Sequence, residues 1–190
     1  VLGNLELALM DLPPNAPARE SIERAMQAGR RAADLTRQML AYSGRGRFVA
    51  QPVNLGELIE KNLEMLRAII PRGVSFVLEI NKDIPLIEAD PGQVQQVMVN
   101  LVSNAAEAIG EQEGLVRLAT GACSCDEAYL SQSRLPKKPP PGEYVYLEVS
   151  DNGCGMDAST LERMFDPFFS TKMLGRGLGM AAVYGIVLGH

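Results

Sequence analysis

Two asparagines stand one turn apart in "QVQQVMVNLVSNAAEAIG", residues 93–110. Around them Val94, Val97, Met98, Leu101, Val102, Ala105 and Ile109 recur at three- and four-residue steps, which predicts an amphipathic helix. Asn100 and Asn104 sit beside that apolar stripe, although an asparagine amide competes for nearby backbone groups and weakens a helix. Three further stretches combine backbone freedom with chemistry. "DNGCGM", Asp151 to Met156, follows a predicted strand. Gly153 and Gly155 let the chain bend and approach a ligand, and the Asp151 carboxylate can accept a hydrogen bond from an exocyclic amine. Alone, that pattern fits a solvated β-turn equally well. "GRGLGMA", Gly175 to Ala181, places alternate glycines at the start of a helix, where free N–H groups and the dipole attract an anion. A plain linker is the alternative, and Met180 breaks the dinucleotide fingerprint. "FDPFFSTK", Phe165 to Lys172, carries three phenylalanines in a polar segment. They pin a loop to the core, or they hinge a lid that brings Lys172 to a phosphate; the two are compatible.

The elements that must hold these stretches follow from periodicity and punctuation. "VLGNLELALMDL" has leucines at 2, 5, 9 and 12, a helical spacing that begins without an N-cap signal. "PPNAPARE" stops that helix, and a second runs from about Ser21 to Ser43 with Ile22, Met26, Leu35, Met39 and Leu40 on its apolar side. Together they form an αα-hairpin that cannot bury its stripe alone and needs a second copy or another domain. "SGRGRF", residues 43–48, marks a boundary. Beyond it, "NLGELIEKNLEMLRAII" reads as one helix capped by Asn54, with Glu57 at the acidic position of a capping box. "GVSFVLEIN", "PLIEAD", "LVRLATGA" and "EYVYLEVSD" read as strands, and the asparagine helix starts at Pro91 behind Asp90. "RLPKKPPPGE" is an exposed turn. Strands that can pair as hairpins, interleaved with helices, predict an α+β fold, with helices covering a mixed sheet as a two-layer α/β sandwich.

Composition narrows the functional classes. The chain has 190 residues, 46% hydrophobic and 22% charged, ordinary values for a globular protein. No apolar run is long enough to span a bilayer, and no secretory signal pattern opens the chain. A net charge of −5 gives no basis for nucleic-acid binding. Cys123, Cys125 and Cys154 make neither a disulfide framework nor a four-ligand zinc site; they read as small buried thiols in a reducing compartment, the cytoplasm. The one histidine, His190, is the last residue.

Taken together and in this order, the four stretches resemble the ATP-binding domain of sensor histidine kinases, within the fold shared with gyrase, Hsp90 and MutL. "NLVSNAAEAI" is similar to its N box, "DNGCGM" to its first glycine box, "FDPFFSTK" to its F box and "GRGLGMA" to its second glycine box. "RRAADLTRQMLAYSGR" resembles the second helix of the dimerisation and phosphotransfer hairpin. The resemblance implies residues 1–43 as part of that hairpin, forming a dimeric four-helix bundle, 44–53 as linker, and 54–190 as the ATP-binding catalytic domain, truncated at its C-terminus. It implies ATP and Mg²⁺ as cofactors, with Asn104 and Asn100 as metal ligands; Mg²⁺ favours hard oxygen donors. Asp151 would read the adenine amino group, with Gly153, Gly155 and Met156 shaping the base pocket. Gly175, Gly177, Leu178 and Gly179 would offer amides to the phosphates. Residues 157–174 would form a lid, and Lys172 would neutralise phosphate charge. The role of Arg176 stays open.

The resemblance also separates two reactions. In the gyrase-like ATPases a glutamate one turn before the metal-binding asparagine activates water; here that position is Asn100, whose amide is no base near neutral pH. General-base catalysis contributes typically about 10²–10⁴-fold, so hydrolysis should be slow. The expected reaction is transfer of the γ-phosphoryl group to a histidine and thence to an aspartate of a response-regulator receiver domain. That acceptor histidine would lie upstream of Val1, so this segment alone should not phosphorylate itself. A hydrolysing ATPase of the same fold and a non-catalytic dimerisation module are the alternatives.

Overall fold

The structure, a computed structural model, describes residues 1–13, 15–42, 49–172 and 177–190, and from residue 31 to 42 only some of the side chains. The boundary segment 43–48, and Leu35, Met39 and Leu40 as apolar positions, therefore lie outside the described residues and side chains. Helices α1 (Leu2–Asp11) and α2 (Ala18–Tyr42) pack on each other as the hairpin. Val1 holds the N-cap position of α1 and makes no side-chain cap, as its sequence suggests. α2 begins at Ala18, a turn earlier than Ser21. Arg19 holds the connection by donating to the carbonyls of Leu9 (3.0 Å) and Leu12 (3.3 Å).

The remaining chain forms β1 (Gln51–Val53), α3 (Leu55–Lys61), α4 (Leu63–Ile69), β2 (Val74–Ile80), β3 (Ile87–Ala89) and α5 (Pro91–Ile109). Then come β4 (Gly114–Cys125), α6 (Glu127–Ser131), β5 (Gly142–Asp151), α7 (Ala158–Arg163) and α8 (Gly179–Gly189). β2, β4 and β5 make a mixed sheet in the order β2-β4-β5, the first pair parallel and the second antiparallel. β1 and β3 pair separately and antiparallel. Two expectations are corrected here. The strands are not joined as simple hairpins: the parallel β2–β4 pair needs a crossover, which β3 and α5 supply. The helix read from Asn54 to Ile70 is two, because Asn62 ends α3 with its backbone N–H bonded to the Ile59 and Glu60 carbonyls while its side chain donates to Leu58 at 2.8 Å.

The Asn54 cap is present, its side chain accepting from the Glu57 N–H at 3.1 Å. α5 is the centre of the domain. Met98 and Val102 are fully buried with Ile59, Leu66 and Leu118, and Ala105 and Ile109 pack on Val116. Val97 packs instead against Val183 and Ile186 of α8. Each such side chain contributes about 1.5–3 kcal/mol on burial, so the helix is fixed to the sheet and to α8 at once. Its start is equally fixed: Asp90 Oδ1 accepts from the Gly92 and Gln93 N–H groups at 2.9 and 3.1 Å, and Oδ2 accepts from Val49 at 3.0 Å. Partial burial raises that carboxyl, but the three backbone donors outweigh it and hold it below the usual carboxylate range. α8 also packs against α2, so hairpin and sheet domain meet through it.

Candidate functional site

α5 presents one edge to all the motif segments. Asn100 Nδ2 donates to the carbonyl of Gly179, the first residue of α8, at 3.2 Å. A Cβ on Gly179 would lie 3.8 Å from Asn100 Oδ1 and 4.0 Å from Asn104 Nδ2, so both amides border the α8 N-terminus. Asn104 is half-buried, and its side chain makes no hydrogen bond among the described residues. The end of α8 it faces has no side-chain cap; Leu178, buried at 3% exposure, occupies the cap position, and the first helical bond runs from Ala182 N–H to its carbonyl. The N–H groups of the first turn thus lack intrahelical acceptors beside an unused carboxamide. That pairing suits an anion and its counter-cation.

One turn further along α5, Glu107 ion-pairs with Lys172 through Oε2 and meets Ser103 Oγ at 3.3 Å through Oε1. Next to it, the Ala108 carbonyl accepts from the Cys154 N–H at 3.0 Å. A Cβ on Gly153 would lie 2.5 Å from the Ala108 carbonyl carbon and oxygen, so only glycine lets this turn seat on the helix. Asp151 ends β5 with an exposed carboxylate that accepts from the Gly153 N–H at 2.9 Å, and Met156, at 54% exposure, stands beyond the open Gly155. Residues 100, 104, 107 and 108 of one helix therefore gather the second glycine stretch, the Lys172 loop and the first glycine stretch.

The phenylalanines divide their tasks. Phe165 stacks on Tyr184 of α8 with centroids 5.1 Å apart, and Phe169 lies under Arg163 at 4.3 Å. Phe168 is 63% exposed and has φ 66°, a conformation costing a bulky residue on the order of 1–3 kcal/mol. It is held there by its N–H donating to the Gly177 carbonyl at 2.9 Å. Gly177 has φ 62°, and a Cβ there would lie 2.3 Å from the Phe169 carbonyl oxygen. The stretch expected as a lid, residues 157–174, begins with a helix, α7, capped by Asp157, whose carboxylate accepts from the Thr160 N–H at 2.7 Å. Those bonds to Thr160 hold the Asp157 carboxyl below its usual range. Gly175 and Arg176, with Leu174 at the lid's end, lie outside the described residues.

Two site features escaped the sequence. Asn152 closes the sheet beside the first glycine stretch, its Oδ1 accepting from Leu115 N–H at 2.8 Å; read as a turn residue, it gave no sign of a strand partner. Glu107 was legible in principle, three residues after Asn104 on the same helical face. The thiols are also corrected: among the three, Cys125 is buried, Cys123 is half-buried and Cys154 is exposed. An open pocket of about 360 Å³ between Val183, Tyr184, Val187, Phe165 and the 132–135 loop takes in none of the glycine or asparagine positions.

A model of the histidine kinase-, DNA gyrase B- and HSP90-like ATPase family matches residues 89–190. The chain belongs to that family. Residues 89–190 are thus its ATP-binding domain, and the four motifs lie wholly within them. Sensor kinase CckA of Brucella abortus (strain 2308) is 32% identical over 98% of this chain and 20% of its own length. The signal transduction histidine-protein kinase AtoS of Escherichia coli (strain K12) is 32% identical over 80% of this chain and 22% of its own. The chain therefore spans about a fifth of the length of these relatives. In fold it matches full-length ShkA in complex with AMPPNP, with a TM-score of 0.71 over 100% of this chain and 37% of that one at 23% identity. The mixed sheet covered by helices, with helices ahead of it, agrees with the two-layer sandwich expected. Among the described residues no helix is long and apolar enough to cross a membrane.

Proposed function

We propose that this chain is the catalytic core of a sensor histidine kinase, passing the ATP γ-phosphoryl group to a histidine and thence to a response-regulator aspartate. One observation carries the reading: Asn104 and Asn100 border the uncapped start of α8 while Lys172 and the Asp151 turn lie along the same helix. Asn104 and Asn100 supply neutral oxygens suited to Mg²⁺. When bound, that ion neutralises charge on the phosphates. The α8 N–H groups at Leu178 and Gly179, with Gly175 and Gly177 before them, cradle the triphosphate; Asp151 accepts from the adenine amine over Gly153, Gly155 and Met156. Lys172 leaves Glu107 for a phosphate oxygen as the 157–174 lid settles. Transfer then rests on positioning and charge neutralisation.

Asn100 also favours transfer over hydrolysis, since no carboxylate stands there to activate water. His190 is not the acceptor: its Nε2 accepts from the Asp90 N–H at 3.0 Å and its Nδ1 lies 2.8 Å from the Ile186 carbonyl, a structural role at the end of α8. The proposed acceptor is a histidine of the hairpin outside these residues. Residues 1–43 are assigned to that hairpin, pairing with a second copy in a four-helix bundle, 44–53 to the linker and 54–190 to the catalytic domain, in the cytoplasm. Relatives named as sensor and signal-transduction kinases support this.

The test mixes this chain, labelled ATP and Mg²⁺ with a longer form of the protein that carries the acceptor histidine and Asn104→Ala. Acid-labile label on the longer form is expected, with little phosphate release. Steady release of inorganic phosphate and no labelled histidine would favour the hydrolysing reading.

A further inference from the structure

The β4 strand ends in a feature that the nucleotide site does not use. Cys123 and Cys125 are two residues apart and share the sheet face turned away from α5, opposite Tyr144 and Gly142 of β5. Their sulfurs are 3.5 Å apart, in contact, and neither takes another hydrogen-bond partner among the described residues. They line an open pocket of about 420 Å³ with Tyr129, Tyr146 and Glu148, through which the half-buried Cys123 meets solvent. Along β4 the pair lies about 25 Å from the level of Asp151, at a rise of about 3.3 Å per residue. It is a separate place on the domain.

We propose that Cys123 and Cys125 form a reversible dithiol–disulfide site that reacts by exchange with a low-molecular-weight disulfide. Two steps on a strand separate Cα atoms by about 6.6 Å, near the top of the range of about 4.4–6.8 Å that a disulfide spans. Closure must also draw the two Cβ atoms to about 3.5–4.5 Å, closer than same-face residues of an extended strand stand, so the strand adjusts locally and the product is strained. Strained disulfides are oxidising and labile, the regulatory kind rather than the structural kind.

Exposure sets the order of events. Cys123 is half-buried and Cys125 is 6% exposed. Burial pushes the Cys125 thiol up, and the Cys123 sulfur and the carboxylates of Glu143 and Asp126 add to that, so Cys125 stays protonated longer. The Cys123 thiolate attacks one sulfur of the small disulfide and expels the first small thiolate. Cys125 then gives its proton to solvent and attacks the Cys123 sulfur, expelling the second. Two protein thiols and one small disulfide become one intrachain disulfide and two small thiols.

Oxidised glutathione is the probe. After incubation of the native chain, mass mapping should find Cys123 linked to Cys125 with loss of two hydrogens, and Cys154 either free or carrying glutathione. In a Cys154→Ser chain, titratable thiols should fall from two to zero and return to two with dithiothreitol. Adding Cys125→Ser should instead trap one glutathione on Cys123, while Cys123→Ser should leave Cys125 unmodified in the folded protein. Two free thiols after incubation of the Cys154→Ser chain, a persistent glutathione adduct on the intact pair, or a link between two chains would overturn the proposal. The native and Cys154→Ser measurements decide it even where a Cys125 variant does not fold.

Discussion

Asn104→Ala is expected to abolish Mg²⁺-dependent ATP binding while leaving α5 folded. The two halves of that result have separate causes. Loss of outer partners around a metal already costs typically about 10–100-fold in affinity, so loss of a proposed ligand should weaken Mg²⁺-ATP by about 100-fold or more. Stability should not fall, because the Asn104 side chain makes no hydrogen bond among the described residues. Alanine is also the better helix former, by about 0.5 kcal/mol. Calorimetric titration with a non-hydrolysable ATP analogue, with and without Mg²⁺, reads the first half and thermal melting the second. Asn100→Ala makes the contrast: it removes the bond to the Gly179 carbonyl as well, so both affinity and about 1 kcal/mol of stability should go. Wild-type affinity in Asn104→Ala would remove the metal assignment.

Gly153→Ala is expected to damage the site from the opposite side. The added Cβ would meet the backbone of Ala108, which belongs to a helix fixed by the core and cannot retreat like a flexible side chain. The turn must move instead, stretching the Cys154–Ala108 hydrogen bond. Overpacking of this kind costs typically about 1–3 kcal/mol. Because Asp151 is tied to the same turn through the Gly153 N–H, its carboxylate moves too, and adenine nucleotides should bind at least about tenfold more weakly, the equivalent of about 1.4 kcal/mol. Gly142→Ala is the control, since a Cβ there meets nothing. A Gly153→Ala chain with unchanged melting and affinity would mean that the turn does not depend on its seat on α5.

The parts of this architecture written plainly in the sequence are those with long periods or strong caps. α5 combines both, with Asp90 and Pro91 at its start and an apolar stripe whose Val97, Met98, Val102, Ala105 and Ile109 are buried. The four motifs were also legible, and the structure brings every described one to a single helix edge. What was hidden depended on distant or brief interactions. β1 is three residues long, includes Pro52 and finds its partner β3 more than thirty residues away. α6 spans only five residues, too few for a period, although Asp126 caps it. Asp157 gave the same capping signal for α7, but the phenylalanines that follow suggested a loop. The α3–α4 break at Asn62 is invisible because the apolar spacing runs straight through it. Parallel pairing of β2 with β4 is set by the crossover through α5, which no local pattern encodes.

The most direct measurement is a crystal structure of this chain with Mg²⁺ and a non-hydrolysable ATP analogue. The triphosphate and cation should lie between Asn100 and Asn104 of α5 and the first turn of α8, with the Asn100–Gly179 contact opened, Lys172 off Glu107 and the base against Asp151. Nucleotide bound elsewhere, or that crevice still closed by Asn100 on Gly179 at saturating ligand, would contradict the account.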